Sequence, residues 1–297
     1  MSATATDDAL PPERRTVYAQ TPAASRLTHL LDQTGRTALG VFLPAGFPSR
    51  TAGIDLLHSF AEQGADILEV GVPHTAPVFD GPVIKAAYET ALAQGTVMAH
   101  VLSTVRHAVT GGAPVVAMTY WAPVLAYGIE RFADDLAVAG AAGVMIPDLP
   151  PHEAGRWRAA ARKAGIHTPQ FAPRDAGDED LTRIAAAASG WIYAPAAVAA
   201  TGYQGDLDLA AIQHFTGRLR HRTEQPIVAG IGISTPARAR QVAPYADGVV
   251  IGTPVVRPLL EQAAARGAAQ AMGHVRAFAD ALRAATAVPP HRTRACA

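Results

Sequence analysis

Cysteine is almost absent from this chain: the one residue, Cys296, stands beside the C-terminus and can close no internal disulfide. That usage fits a reducing compartment, and the cytoplasm is the expected location. Charge of one sign is lacking as well, because 25 Lys and Arg balance 25 Asp and Glu. Without a net charge there is no broad electrostatic grip on nucleic acid or on an anionic membrane. No run of about 18 or more apolar residues occurs, so no membrane-spanning helix is expected. The opening "MSATATDDALPPERRT" contains no apolar stretch of the kind a secretory signal needs. Residues 1–23 are expected to form a disordered leader and 287–297, with "AVPPHRTRACA" at the end of the chain, a flexible tail.

Apolar side chains, in contrast, are plentiful: 49% of 297 residues are hydrophobic, enough for one large domain or two smaller ones. Short β-branched runs alternate with longer Ala-rich helical patterns. The strand-like runs are "TALGVFL" (37–43), "DILEVGV" (66–72), "PVVAMTY" (114–120), "GVMIPD" (143–148), "TPQFA" (168–172), "GWIYA" (190–194), "PIVAGIG" (226–232) and "DGVVIG" (247–252). Helical patterns lie between them, and "HEAGRWRAAARKAG" ends at Gly165, as helix C-termini often do. Strands that are apolar throughout, each followed by a helix, indicate a parallel sheet covered by helices. Eight such units in roughly 250 residues match a (β/α)₈ TIM barrel, here a single α/β domain over 24–286. An open doubly wound sheet is the rival, but it usually has fewer strands and a switch point.

A barrel places functional groups at the C-terminal ends of its strands. The stretch "ILEVGVPHTAPVFDGP" puts Glu69 near the end of the second strand and Asp80 in the loop after it. Alternation puts Glu69 on the face of Ile67 and Gly71. If that face points inward, Glu69 enters the top of the core beside a glycine that leaves room for a ligand. Desolvation there would raise its pKa towards values useful for proton transfer. A solvated strand-end acid fits the letters equally well, and Asp80 alone reads as a turn or helix-cap residue. The glycines further along say more. "VAGIGIST" closes the seventh strand with Gly230, Gly232 and Ser234, "VVIGTP" closes the eighth with Gly252 and Thr253, and "ATGYQG" adds Gly202 after the sixth. Loops at those ordinal positions often bind a phosphate in barrels, through backbone N–H groups and a helix N-terminus.

With these residues in place, the chain resembles the tryptophan synthase α subunit and its stand-alone relatives, the indole-3-glycerol-phosphate lyases. The resemblance runs from about Arg26 to Ala285. "GADILEVGVP" and "DGP" carry it most specifically, joined by "PAGFPS", "YGIERF", "PDLPPHE", "GWIY", "GIGIS" and "IGTPVV". It implies retro-aldol cleavage of indole-3-glycerol phosphate to indole and glyceraldehyde 3-phosphate, with no metal and no organic cofactor. Glu69 would move protons at indole C3 and the glyceryl hydroxyl, and Asp80 would bind the indole N–H. Tyr193 would stand near the glyceryl chain. Phe42, Met118, Tyr120 and Ile231 would form the slot for the indole ring, and Gly202, Gly232, Ser234, Gly252 and Thr253 would hold the phosphate.

The family also implies a β subunit as partner, and here the sequence departs from the pattern. His74-Thr75-Ala76 replaces Phe-Ser-Asp, Phe79 replaces an Ala, Ala197 stands at an Arg position, and Trp121-Ala122 follows Tyr120 where the family has Ala-Asn. In the family these positions belong largely to mobile loops and the docking face, so they speak against a tight β partnership and leave a lyase that works alone as an open alternative. His74 could be a new catalytic group or a loop residue filling space. Rival functions are a divergent member acting on another phosphorylated ligand, a sugar-phosphate isomerase or prenyl-glyceryl-phosphate transferase, and a non-catalytic regulatory subunit. The isomerase and transferase reactions do not require Glu69 and Asp80 together, and a pure binder has no need of proton-transfer groups.

Overall fold

A parallel ladder of eight strands organises the chain in the computed structural model, which describes residues 22–285. The expected tail lies outside those residues, and so does the expected leader except for Pro22 and Ala23. Ala23 already opens the first helix. The chain begins with α1 (Ala23–Gln33), β1 (Ala38–Pro44), α2 (Arg50–Glu62), β2 (Ile67–Gly71), α3 (Pro82–Ala93) and α4 (Met98–Ala108). It continues through β3 (Val115–Met118), α5 (Trp121–Tyr127), α6 (Ile129–Ala139), β4 (Gly143–Met145), α7 (Ala154–Ala164), β5 (Gln170–Phe171) and α8 (Asp178–Ala187). The last quarter holds β6 (Ile192–Pro195), α9 (Leu209–Arg220), β7 (Ile227–Gly230), α10 (Pro236–Val242), β8 (Gly248–Ile251), α11 (Thr253–Glu261) and α12 (Ala264–Arg283).

The strand order is β4-β3-β2-β1-β8-β7-β6-β5, every pairing parallel. The ring closes through a single bridge between Gly143 and His167, where Val144 N–H donates to His167 O at 3.0 Å and His167 N–H to Ala142 O at 2.9 Å. The approach is close, since a Cβ on Gly143 would lie 3.0 Å from both the Cβ and the carbonyl oxygen of His167. This is the (β/α)₈ barrel that the sequence predicts.

The strands are shorter than their apolar runs at identifiable places. β4 stops at Met145, before Pro147 and Pro150, and β5 spans two residues between Pro169 and Pro173. Proline has no N–H for a ladder, so both ends of this seam fray into loop. β7 stops at Gly230 because Ile231 (φ 51°) and Gly232 (φ 103°) turn the chain out of the sheet. A β-branched residue at positive φ is a strained conformation, of about 1–3 kcal/mol. Local caps set the helix ends: Ser49 Oγ accepts Ala52 N–H in front of α2, Pro82 opens α3, and Gly165 (φ 74°) ends α7 as expected.

At the N-terminal end of the barrel two aspartates tie neighbouring strands together. Asp66 accepts Leu39 N–H at 2.8 Å and a bidentate Arg36 at 2.7 and 2.8 Å. Asp247 repeats the device on the other side, accepting Ile227 N–H at 2.8 Å and Arg220 at 3.0 Å. Neither faces the catalytic end, so they serve stability. Asp247→Ala leaves a buried N–H and a largely buried guanidinium without this carboxylate. The variant is expected to lose about 2–4 kcal/mol of unfolding free energy with turnover per folded molecule unchanged, as read by urea denaturation beside a rate assay.

Candidate active site

Register places the site. Phe42 on β1 pairs with Glu69 on β2, and Met118 on β3 pairs with Gly71, so their side chains converge at the C-terminal mouth of the barrel. A cavity opens there, mostly apolar with a few polar groups converging on it, as small-molecule sites are. Its wall contains both acids, Phe42, Met118, Tyr193 and Ile231, and also Gly202, Gly232, Ser234, Gly252 and Thr253. The structure therefore brings together eleven of the twelve residues singled out from sequence.

Tyr120 is the exception. It is 1% exposed and does not line the cavity. Instead of contributing to the apolar slot it stands behind Asp80. Its hydroxyl donates to Asp80 Oδ2 at 2.8 Å and accepts the backbone N–H of Phe79 at 3.2 Å. A tyrosine buried this deeply needs a hydrogen-bond partner, and the carboxylate supplies one. Gly71 also differs from expectation: the room it leaves is taken by the protein itself. A Cβ there would lie 2.5 Å from the Phe42 ring and 2.9 Å from the Tyr88 hydroxyl.

The two acids occupy contrasting surroundings. Glu69 is 3% exposed, and its Oε1 has no hydrogen-bond partner. Burial, with the nearby Asp80 charge second, pushes its carboxyl up to about 8. Asp80 is 4% exposed, yet Tyr120 holds one oxygen and Thr201 Oγ1 donates to the other at 3.3 Å. Burial raises it to about 6, held back by the hydrogen bonds from Tyr120 and Thr201 and by the charge of Lys85. Asp80 thus ionises first, and its charge then keeps the proton on Glu69. A pair whose surroundings separate two carboxyls in this way can hold one acid and one base at neutral pH. Tyr193, buried beside them, is held well above the usual phenol range by burial and by both acids, and so stays protonated.

The loops after β2 and β6 are fastened to each other around Asp80. Thr201 Oγ1 accepts Gly81 N–H at 2.8 Å, and Thr201 N–H donates to Phe79 O at 3.1 Å. A Cβ on Gly81 would lie 2.0 Å from Thr201 O, so only glycine permits this approach. Next to them three rings form one wall: Phe79 against Phe171 at 5.1 Å, then Phe171 stacked on Tyr193 at 5.9 Å. Sequence reasoning missed Phe171, Met145 and Tyr203 in the lining, and the tie made by Thr201. Only the position of Thr201 beside Gly202 hinted at its involvement. His74 does not line the cavity; its Nδ1 accepts Ala76 N–H at 2.8 Å and its ring packs on Tyr120 at 5.5 Å.

In the glycine corner Gly202 takes a positive φ of 89°, and a Cβ there would meet Thr253 Oγ1 at 3.4 Å. α11 begins at Thr253, and the N–H groups of Val255 and Val256 both turn back to Gly252 O. The N–H of Thr253 itself has no partner among the described residues, which is the vacancy that helix N-termini offer to anions. Tyr120→Phe is expected to lower kcat/KM about 10-fold at neutral pH. Removing its hydrogen bond removes an influence that lowers the Asp80 pKa, so the acidic limb of the pH profile should move upward, read by kcat/KM against pH.

Known proteins are similar to this chain over most of its length. The family model described as tryptophan synthase alpha chain matches residues 29–287. Tryptophan synthase alpha chains of Streptomyces coelicolor and Streptomyces avermitilis are each 42% identical, over 76% and 84% of this chain and 84% and 88% of theirs. Among solved structures, tryptophan synthase from Mycobacterium tuberculosis superposes with a TM-score of 0.80 at 34% identity, covering 87% of this chain and 98% of that one. By sequence and by structure, this chain belongs to the tryptophan synthase alpha chain family.

Proposed function

We propose that the chain is a carbon–carbon lyase that cleaves indole-3-glycerol phosphate to indole and glyceraldehyde 3-phosphate, with Glu69 and Asp80 as its acid–base pair. The observation that carries these roles is the contrast between them: a buried carboxyl with no partner for Oε1, next to one fixed by Tyr120 and Thr201. Protonated Glu69 delivers its proton to indole C3. The positive charge that builds on the ring is shared with N1, whose N–H Asp80 binds as a carboxylate. Glu69, now ionised, takes the proton of the glyceryl hydroxyl. The bond between indole C3 and the hydroxyl-bearing carbon breaks, its electron pair returns to the ring, and the aldehyde forms. Glu69 ends the cycle protonated, so protons and electrons balance.

Phe42, Met118 and Ile231 provide the apolar slot in this reading, and Tyr193 meets the glyceryl chain. Gly202, Gly232, Ser234, Gly252 and Thr253 bind the phosphate. Tryptophan synthase alpha chains work with a β subunit. Asp80 is positioned here by Tyr120 and Thr201 of this chain itself, which supports a lyase that turns over without one. Among the described residues, no helix is long and apolar enough to cross a membrane.

The test is indole release from indole-3-glycerol phosphate by the purified chain alone, with and without an added β subunit. Release by the chain alone is expected, and Glu69→Gln should reduce it by at least 10³-fold. Activity that appears only with the β subunit would overturn the stand-alone reading, and silence in both settings would overturn the substrate. For the active chain, kcat/KM should follow a bell in pH. The acidic limb falls near 6, where Asp80 takes up its proton, and the basic limb near 8, where Glu69 loses its own.

A further inference from the structure

One cation stands directly behind the glycine corner. Arg238, in the first turn of α10, sends Nη1 to Gly232 O at 3.2 Å and to Ser234 Oγ at 3.0 Å, and Nη2 to Gln204 O at 2.9 Å. The guanidinium thus joins the loop after β6 to the loop after β7. Among the described residues no carboxylate pairs with it. Some other arginines of this surface do have one, as Arg156 has Glu130 and Arg257 has Glu261, whereas the partners of Arg238 are carbonyl and hydroxyl oxygens of the two loops. We infer that Arg238 is a phosphate-positioning residue, whose charge raises the affinity of the glycine corner for the dianion of the substrate.

Two features of the geometry support this role. Ser234 Oγ accepts the arginine N–H and makes no other hydrogen bond among the described residues. Its own hydroxyl proton is therefore left to be donated, and a charged donor behind it strengthens that donation. In addition, Arg238 draws on the carbonyl of the Gly232–Ile233 peptide. In a trans peptide the N–H points the opposite way, and that N–H, of Ile233, has no partner among the described residues. Ile233 and Ser234 both line the cavity. Arg238 itself sits behind the loop, so it acts through these groups and through its charge. In the sequence it reads as an ordinary helix-surface arginine in "STPARARQV", which is why the letters alone do not reveal it.

This inference rests on the glycine corner being the phosphate site, and the experiment separates the two. KM for indole-3-glycerol phosphate and Ki for glycerol 3-phosphate are measured in Arg238→Gln, Arg238→Lys and Thr253→Asp, each at low and high salt. Arg238→Gln is expected to raise KM and Ki about 5- to 20-fold with kcat within about 2-fold, and to flatten the salt dependence of both. Arg238→Lys keeps the charge but cannot span the two loops with a planar fork, and it should recover most of the lost affinity. If the lysine variant behaves like the glutamine variant and salt dependence is unchanged, Arg238 is only a loop clamp and the inference fails. The same holds if Arg238→Gln leaves KM unchanged while Thr253→Asp abolishes binding; the phosphate reading then stands without Arg238. If Thr253→Asp also leaves both constants unchanged, the phosphate reading itself fails, and the inference with it.

Discussion

Two carboxyl groups share one poorly solvated cavity, and most of the surrounding structure can be understood as managing that fact. Burying a charge is costly unless it is paired or hydrogen-bonded. Here one acid receives hydrogen bonds from Tyr120 and Thr201, and the other keeps an oxygen without any. The difference decides which group is ionised at neutral pH. If both were hydrogen-bonded, both would be carboxylates and no proton would be available for carbon. If neither were, both would be neutral and nothing would stabilise a cationic ring. In the proposed reaction Tyr120, Thr201 and the close approach of Gly81 would therefore serve the chemistry although none of them needs to touch a reacting atom.

The rest of the mouth divides into two halves with different physics. Around the acids the wall is apolar and aromatic, from Phe42 and Met118 to the rings of Phe79, Phe171 and Tyr193. This keeps the local dielectric low and the Glu69 proton in place. Across the cavity the chain presents backbone and small polar side chains, through glycines, Ser234 and the start of α11. Ile231 lies where the halves meet, and its positive φ turns the chain from strand into the glycine corner. The strain stored in that residue is local. The barrel strands around it, buried on both faces, are stiff enough to impose it.

Much of this was legible in the letters, and the failures have physical causes. Seven of the strands appeared as apolar runs because a parallel sheet buries both of its faces; β5, half-buried Gln170–Phe171, is the exception. Their lengths did not, since prolines and the turn at Ile231 cut ladders that hydrophobicity alone would extend. Glu69 was visible as a carboxylate inside an apolar strand, and the glycines were visible by their ordinal positions. The sequence does not separate Tyr120 from slot lining, because an aromatic after a strand looks the same whether it faces a ligand or backs a carboxylate. Gly71 was read as space for substrate, but the space is filled by Phe42, a residue some 30 positions earlier that only the β1–β2 register brings near. Arg238, too, acquires its meaning from three loop atoms that the fold assembles.

The central claim is that Glu69 carries a proton at neutral pH while Asp80 does not. Infrared difference spectroscopy of the free enzyme, wild type minus Glu69→Gln, reads this directly through the carbonyl stretch of a protonated carboxyl. The account predicts such a band at pH 7, disappearing as pH rises through about 8 and replaced by carboxylate absorption. A Glu69 that is already a carboxylate at pH 7, with no protonated band to lose, would contradict it.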